Sequence, residues 1–297
     1  MSSSEWNISV DVDLTNPGQF FACCGLLELA DRLWRGAEGW FDGSRFRIAG
    51  PPGCSLQALL ARLAECSVGN TMTPNQTARL EKLSAMGKRD AGPGLEDEKK
   101  ALESLRREAP IILRGPIAFR VDWFCDTLAN GSRFKTWAGQ QSVLEIARSM
   151  HGAIETVIAE SVSTLWGSAR GIGLPFNFDS DLGGQGSALD IGFSFDPLNA
   201  SAATRIEGTC KPLLEFLGFV GLQRFRPREV GRQNRFVYVA WNHPLPPSIA
   251  SAAVCGAIDS PNYRRYEFKL LYRTKYLKSF LPSIPFHGDR DERSAQV

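Results

Sequence analysis

Between Arg224 and Phe280, cations and aromatic rings alternate along the chain. Gln223-Arg224-Phe225-Arg226-Pro227-Arg228 puts three arginines within five residues, and Arg232 and Arg235 follow. Arg264, Arg265, Lys269, Arg273, Lys275 and Lys278 come next, interleaved with Tyr263, Tyr266, Phe268, Tyr272, Tyr276 and Phe280. A guanidinium offers phosphate a planar fork of donors, and an aromatic face can hold an unstacked base. The chemistry this stretch suggests is nucleic-acid binding. The competing reading is strand alternation, with the rings inside and the cations in water. Lys135 lies in Gly131-Ser-Arg-Phe-Lys-Thr-Trp-Ala-Gly-Gln-Gln141, a loop leading into a helical pattern. A helix N-terminus beside a lysine can hold phosphate; a capping loop that buries Trp137 is the alternative.

A second grouping is acidic. Asp179 and Asp181 sit on Phe178-Asp-Ser-Asp-Leu-Gly-Gly184, with Asp190 and Asp196 downstream. Hard oxygens two residues apart on a glycine-rich loop can bind magnesium or calcium. A metal-dependent nuclease acting on RNA or DNA would use Asp179, Asp181 and Asp190 in this way. A solvated turn uses the same residue types. The three histidines, His151, His243 and His287, show no metal-ligand spacing. Neither Gly-x-x-x-x-Gly-Lys-Ser/Thr nor Gly-x-Ser-x-Gly occurs, so no catalytic residue and no cofactor is assigned.

Seven cysteines, with no Cys-x-x-Cys pair, argue against a disulfide framework or a thiolate zinc site. Cys23 and Cys24 lie in an apolar run and read as core residues. A reducing, cytoplasmic compartment is expected. There is no apolar stretch of membrane-spanning length and no basic segment leading into an apolar one at the start, so neither a membrane partner nor a secretory leader is expected.

Length and composition bound the frame that must position these groups. The 297 residues are 43% hydrophobic and 22% charged, which is globular, and suffice for one large or two modest domains. The net charge of +2 hides an asymmetry. Residues 1–204 hold 19 basic and 24 acidic side chains, residues 205–278 hold 13 and 5, and the remainder 2 and 3. A segment at +8 within a near-neutral chain suggests a surface that faces a polyanion.

Strict alternation over residues 6–14 predicts a half-buried strand, and Thr15-Asn16-Pro17 can cap and open a buried helix over Phe20 to Leu33. A strand with a turn at Asp42-Gly43 is expected over Trp40 to Ile48, and a short amphipathic helix over Ser55 to Cys66. Residues 77–108 read as helix, loop, helix, a charged insertion or partner-facing segment. A strand pair brackets Gly115-Pro116. The longest helical pattern runs from Gly139 to Ala169. Pro212 to Leu222 and Pro246 to Gly256 read as helices, and Leu189 to Phe195, Arg235 to Trp241 and Tyr263 to Arg273 as strands. The class is α+β, with mixed or antiparallel sheets, packed helices, one long central helix and no doubly wound sheet. A weak boundary divides an N-terminal region, 1–170, from a basic C-terminal region, 171–297. No internal repeat is visible.

Several strings resemble a known family. Val12-Asp-Leu-Thr-Asn-Pro-Gly-Gln-Phe-Phe-Ala-Cys-Cys-Gly-Leu-Leu-Glu-Leu-Ala30 resembles the opening of Csb-type proteins from type I-U (I-G) CRISPR loci. Phe134 to Gln141, Gly221 to Pro227, Trp241 to Pro247 and Arg273 to Phe280 extend the likeness over residues 10–281, the segment 77–108 excepted. The resemblance implies an accessory or large-subunit-like member of a Cascade surveillance complex, with CRISPR RNA, target DNA and other Cascade subunits as partners. In that setting the guide reads sequence by base pairing and protein subunits grip backbone. The family supplies no catalytic residues. A scaffold that binds only proteins, through 77–108, is the blander alternative.

Overall fold

The computed structural model describes residues 7–86, 92–125, 133–137, 142–159, 169–172, 175–182, 208–231, 234–258, 260–272 and 278–286. In chain order the elements are β1 (Ile8–Asp11), α1 (Pro17–Leu33), β2 (Glu38–Asp42), β3 (Arg45–Ala49), α2 (Leu56–Ala64), β4 (Ser67–Asn70), α3 (Pro74–Ala85), α4 (Pro93–Glu108), β5 (Ile111–Arg114) and β6 (Phe119–Val121). There follow α5 (Val143–Gly152), α6 (Ile154–Ala159), β7 (Arg170–Ile172), a 3-10 turn (Ser180–Leu182), β8 (Gly208–Cys210), α7 (Pro212–Gly221), β9 (Arg228–Val230), β10 (Arg235–Ala240), α8 (Pro247–Val254), β11 (Arg264–Tyr272), β12 (Lys278–Phe280) and β13 (Ile284–Pro285). The sheets run β1-β3-β2, β4-β5-β6, β7-β8 and β12-β11-β10-β9 with β13 added to β11. Every strand pairing among the described residues is antiparallel, and the fold is α+β.

Two helices make the centre. Asn16 caps α1 by accepting from the Gln19 N–H, and Pro17 fits the first turn, where its missing N–H removes no bond. Fourteen of the seventeen α1 residues and all ten of α7 are buried. Helices that are apolar on every side belong in an interior rather than on a surface. A single hydrophobic cluster includes side chains from both α1 and α7 and from the sheets beside them. The N-terminal and C-terminal regions thus share one core. Phe20 stacks on Tyr238 of β10 at 4.2 Å and on Phe41 of β2 at 5.0 Å, so α1 joins the five-stranded sheet to the β1-β3-β2 sheet.

The order strand, helix, hairpin occurs twice, as β1-α1-β2-β3 and as β8-α7-β9-β10. The copies differ in pairing: β1 lies against β3, whereas β8 lies against β7 and β11 takes the place beside β10. No residue pattern announces this likeness, because little beyond the paired glycines of α1 and α7 is shared.

The long central helix expected over 139–169 is two short helices among the described residues, α5 and α6, broken at Gly152-Ala153. Glycine loses more conformational freedom in a helix than any other residue, and the ladder stops there. Among the described residues the longest helix is α1. The segment 77–108 forms the expected helix pair, joined by the bidentate Arg79–Glu98 ion pair, and among residues 93–106 of α4 no side chain is fully buried. The strand expected at 189–195 lies outside the described residues.

Candidate nucleic-acid interface

Register sets which side chains share a face. Arg235 lies opposite Lys269, Val237 opposite Glu267 and Arg228, and Val239 opposite Arg265. These positions form the face of β9–β11 that points away from α1, because Phe236, Tyr238, Tyr266 and Phe268 take the other face and pack into the core. The Phe268 ring meets Phe21 at 6.1 Å and Phe280 at 5.0 Å. The stacking platform expected from Tyr263, Tyr266, Phe268 and Phe280 therefore lies inside the protein. Interleaving of cations and rings here is strand alternation, one set of residues per face. Tyr276 lies outside the described residues.

The cations divide into matched and open. Arg224 grips Glu28 of α1 with Nε at 2.5 Å and Nη2 at 3.2 Å, and the Glu28 side chain is only 2% exposed. Arg32 approaches the same carboxylate at 2.7 Å. Arg224 thus anchors the end of α7 to α1. Arg235 makes a bidentate pair with Glu267, at 2.7 and 2.5 Å. Arg264 donates to the Gly43 carbonyl at 2.9 Å. Arg265 is half-buried on the outward face. Arg226, Arg228 and Lys269 are exposed, and among the described residues no hydrogen bond or ion pair engages their side chains. Like charges directly opposite on neighbouring strands are unfavourable. Arg235 and Lys269 stand in that relation, and Glu267, on the same face, is taken by Arg235.

Lys135 is half-buried with its ammonium 5.6 Å from the Trp137 ring centre, and Trp137 is buried. Arg133, two residues earlier, pairs with Glu229. The backbone of Lys278 lies in β12 opposite Tyr272. Arg232, Arg273, Lys275 and Asp190 lie outside the described residues.

Of the acidic grouping Asp179 is buried and Asp181 exposed, and both are matched within the protein. Asp179 accepts from Asn16 Nδ2 at 2.6 Å through Oδ1, and its Oδ2 lies 3.2 Å from Lys211 Nζ. The same ammonium is 3.7 Å from Asp181, which also accepts from Gln19 Nε2 at 3.2 Å. Glu215 accepts the N–H groups of Phe178 and Asp179 at 3.1 Å. Burial pushes its carboxyl up to about 8, against the opposing effect of those donors. The cation that meets Asp179 and Asp181 is thus Lys211, and the arrangement fastens segment 175–182 to the N-terminal turns of α1 and α7. Among the described residues no three His, Cys, Asp or Glu side chains gather as a metal site. Burial raises the Cys23 and Cys24 thiols well above their usual range, and both are core residues.

One concave feature has no counterpart in the sequence reading. A cleft of ≈ 560 Å³ opens between Asp11–Thr15, the β2–β3 turn at Gly43-Ser44, and Arg264 and Tyr266 of β11. Its residues come from positions more than 200 apart in the chain, so spacing alone does not reveal it. Only the placement of Asp11 and Asp13 on the polar side of a strand hints at it.

Among the described residues no helix is long and apolar enough to cross a membrane. No protein-family model and no curated protein matches this chain.

Proposed function

We propose that this chain is a non-catalytic, cytoplasmic subunit of a CRISPR RNA-guided, Cascade-like surveillance complex in antiviral defence. It holds the backbone of CRISPR RNA or target DNA on the outward face of β9–β11, alongside other Cascade subunits. The observation that carries the binding reading is the set Arg226, Arg228 and Lys269, exposed and unopposed by any carboxylate among the described residues. Exposed cations without a carboxylate partner favour a polyanion, because on binding they replace and release the counterions condensed on its phosphates. With the neighbouring rings in the core, the contact is to phosphate rather than to bases, which suits a complex whose guide RNA reads the sequence. The CRISPR setting itself rests on the resemblance over residues 10–281.

The test is fluorescence anisotropy with labelled single-stranded RNA and DNA across a salt series, for the wild type and the Arg226→Ala/Arg228→Ala/Lys269→Ala variant. Binding should weaken linearly in log–log form, with a slope shallower by about 2 in the variant, three contacts at roughly 0.7 each. Binding without salt dependence, or none, overturns the reading. Cleavage of either strand with magnesium, abolished by Asp179→Ala, overturns its non-catalytic part.

A further inference from the structure

We propose that the cleft between the β2–β3 turn and β11 receives one unstacked guanine base. The inference rests on the nucleic-acid reading above and adds a base-selective site to it. The cleft, at ≈ 560 Å³, is within the size range of small-molecule sites. Three polar groups lining it have bonding capacity left over. Tyr266 is only 8% exposed, its ring is stacked on Tyr238 at 5.6 Å, and no hydrogen bond to another described residue engages its hydroxyl, which reaches the surface. A hydroxyl on a ring held in place by stacking gives a ligand in the cleft one fixed hydrogen-bonding group. Asp13 is exposed; its Oδ1 accepts from the N–H and hydroxyl of Thr15 at 2.8 and 2.7 Å, while Oδ2 accepts from no described residue. Arg264 uses one of its five N–H donors on the Gly43 carbonyl.

A ligand that completes this set needs acceptors for a guanidinium fork and, on an adjoining edge, donors for a carboxylate. Guanine has both: O6 and N7 match an arginine fork, and the N1–H and N2 amine donate. A cationic side chain would meet Asp13 well but would be repelled by Arg264. The cleft lies on the side of β11 opposite the basic face. Arg264 and Arg265 are consecutive on β11 and point to opposite sides of the strand.

The experiment is calorimetric titration of the full chain with the 5′-monophosphates of guanosine, inosine, adenosine and cytidine, with a labelled oligouridine strand measured in parallel. Guanosine monophosphate should bind, and inosine monophosphate, which lacks only the N2 amine, on the order of tenfold more weakly. Asp13→Asn should abolish that difference. Tyr266→Phe, which removes a single oxygen atom, should weaken guanine binding several-fold at an unchanged thermal midpoint. Equal binding of all four mononucleotides, or no binding, overturns the guanine site; salt-dependent oligouridine binding would then still support the basic face. Guanine-selective binding with no oligouridine binding upholds the cleft and overturns the backbone-gripping face instead.

Discussion

Gly25 of α1 and Gly221 of α7 meet in a reciprocal contact. A Cβ on Gly25 would lie 2.0 Å from the Leu217 carbonyl oxygen, and one on Gly221 would lie 2.1 Å from that of Phe21. Each glycine thus faces the carbonyl one helical turn before the other glycine. No side chain fits between the backbones, and both obstacles are backbone atoms that cannot swing aside.

Gly25→Ala is therefore expected to destabilise the fold by about 3 kcal/mol or more, at the upper end of overpacking effects. Gly221→Ala should do much the same. The double variant should cost less than the sum, since either methyl alone forces the helices apart. Urea unfolding of the three variants measures this, and a Gly25→Ala protein as stable as the wild type would contradict the contact.

Arg224 and Arg226 are two residues apart and should respond oppositely to removal. Arg224→Ala leaves Glu28 buried with Arg32 alone, and removing a partner of this buried carboxylate should lower stability by about 1–3 kcal/mol, the side chain of Arg224 itself being 39% exposed. Its effect on the salt slope of oligonucleotide binding should be small. Arg226→Ala should leave the unfolding free energy within about 0.5 kcal/mol of wild type and make the slope shallower. Paired unfolding and anisotropy measurements on the two single variants separate the roles.

Much of this division was hidden in the sequence. Local patterns do find α1, the β2–β3 hairpin, the α3–α4 pair, α7 and the two long strands, because alternation, capping residues and opening prolines are local signals. The class and the polar alternation of Asp11 and Asp13 follow from the same signals. Which cation is open does not, since the partner of Arg224 is 196 positions away and that of Arg264 is 221. The burial of Asp179 is equally non-local: a Phe-Asp-Ser-Asp-Leu turn looks solvated until Asn16, Lys211 and Glu215 close over it. The break at Gly152-Ala153 shows the converse limit, where apolar periodicity continues through a point at which the backbone does not.

Glu215 should make stability depend on pH. Its carboxyl stands near 8 when folded against an ordinary 4.5, so between these values the native state holds a proton that the unfolded chain has released. Stability should therefore be highest below about pH 4.5 as far as this group is concerned, fall as the pH rises towards 8, and level off above it. Glu215→Gln, which cannot ionise, should flatten the profile across that window. Thermal unfolding of both proteins from pH 5 to 9 checks it, and parallel profiles would assign the dependence to other groups.

Lys211 should be the residue on which the ionised Asp179 depends. The Asp179 side chain is fully buried, and Lys211→Ala leaves its Oδ2 without the ammonium at 3.2 Å, with only the Asn16 amide and the Asp181 N–H on the other oxygen. Removing one partner of a buried pair typically costs about 3–5 kcal/mol, most of it from the stranded charge. Adding Asp179→Asn to Lys211→Ala should recover a large part of that loss, because the stranded group is then neutral. The same geometry predicts that magnesium, calcium or a chelator leaves the wild-type Tm unchanged, the site's cation being a side chain. A chelator that lowers the Tm, or a double variant no more stable than Lys211→Ala, would show that something other than Lys211 balances Asp179.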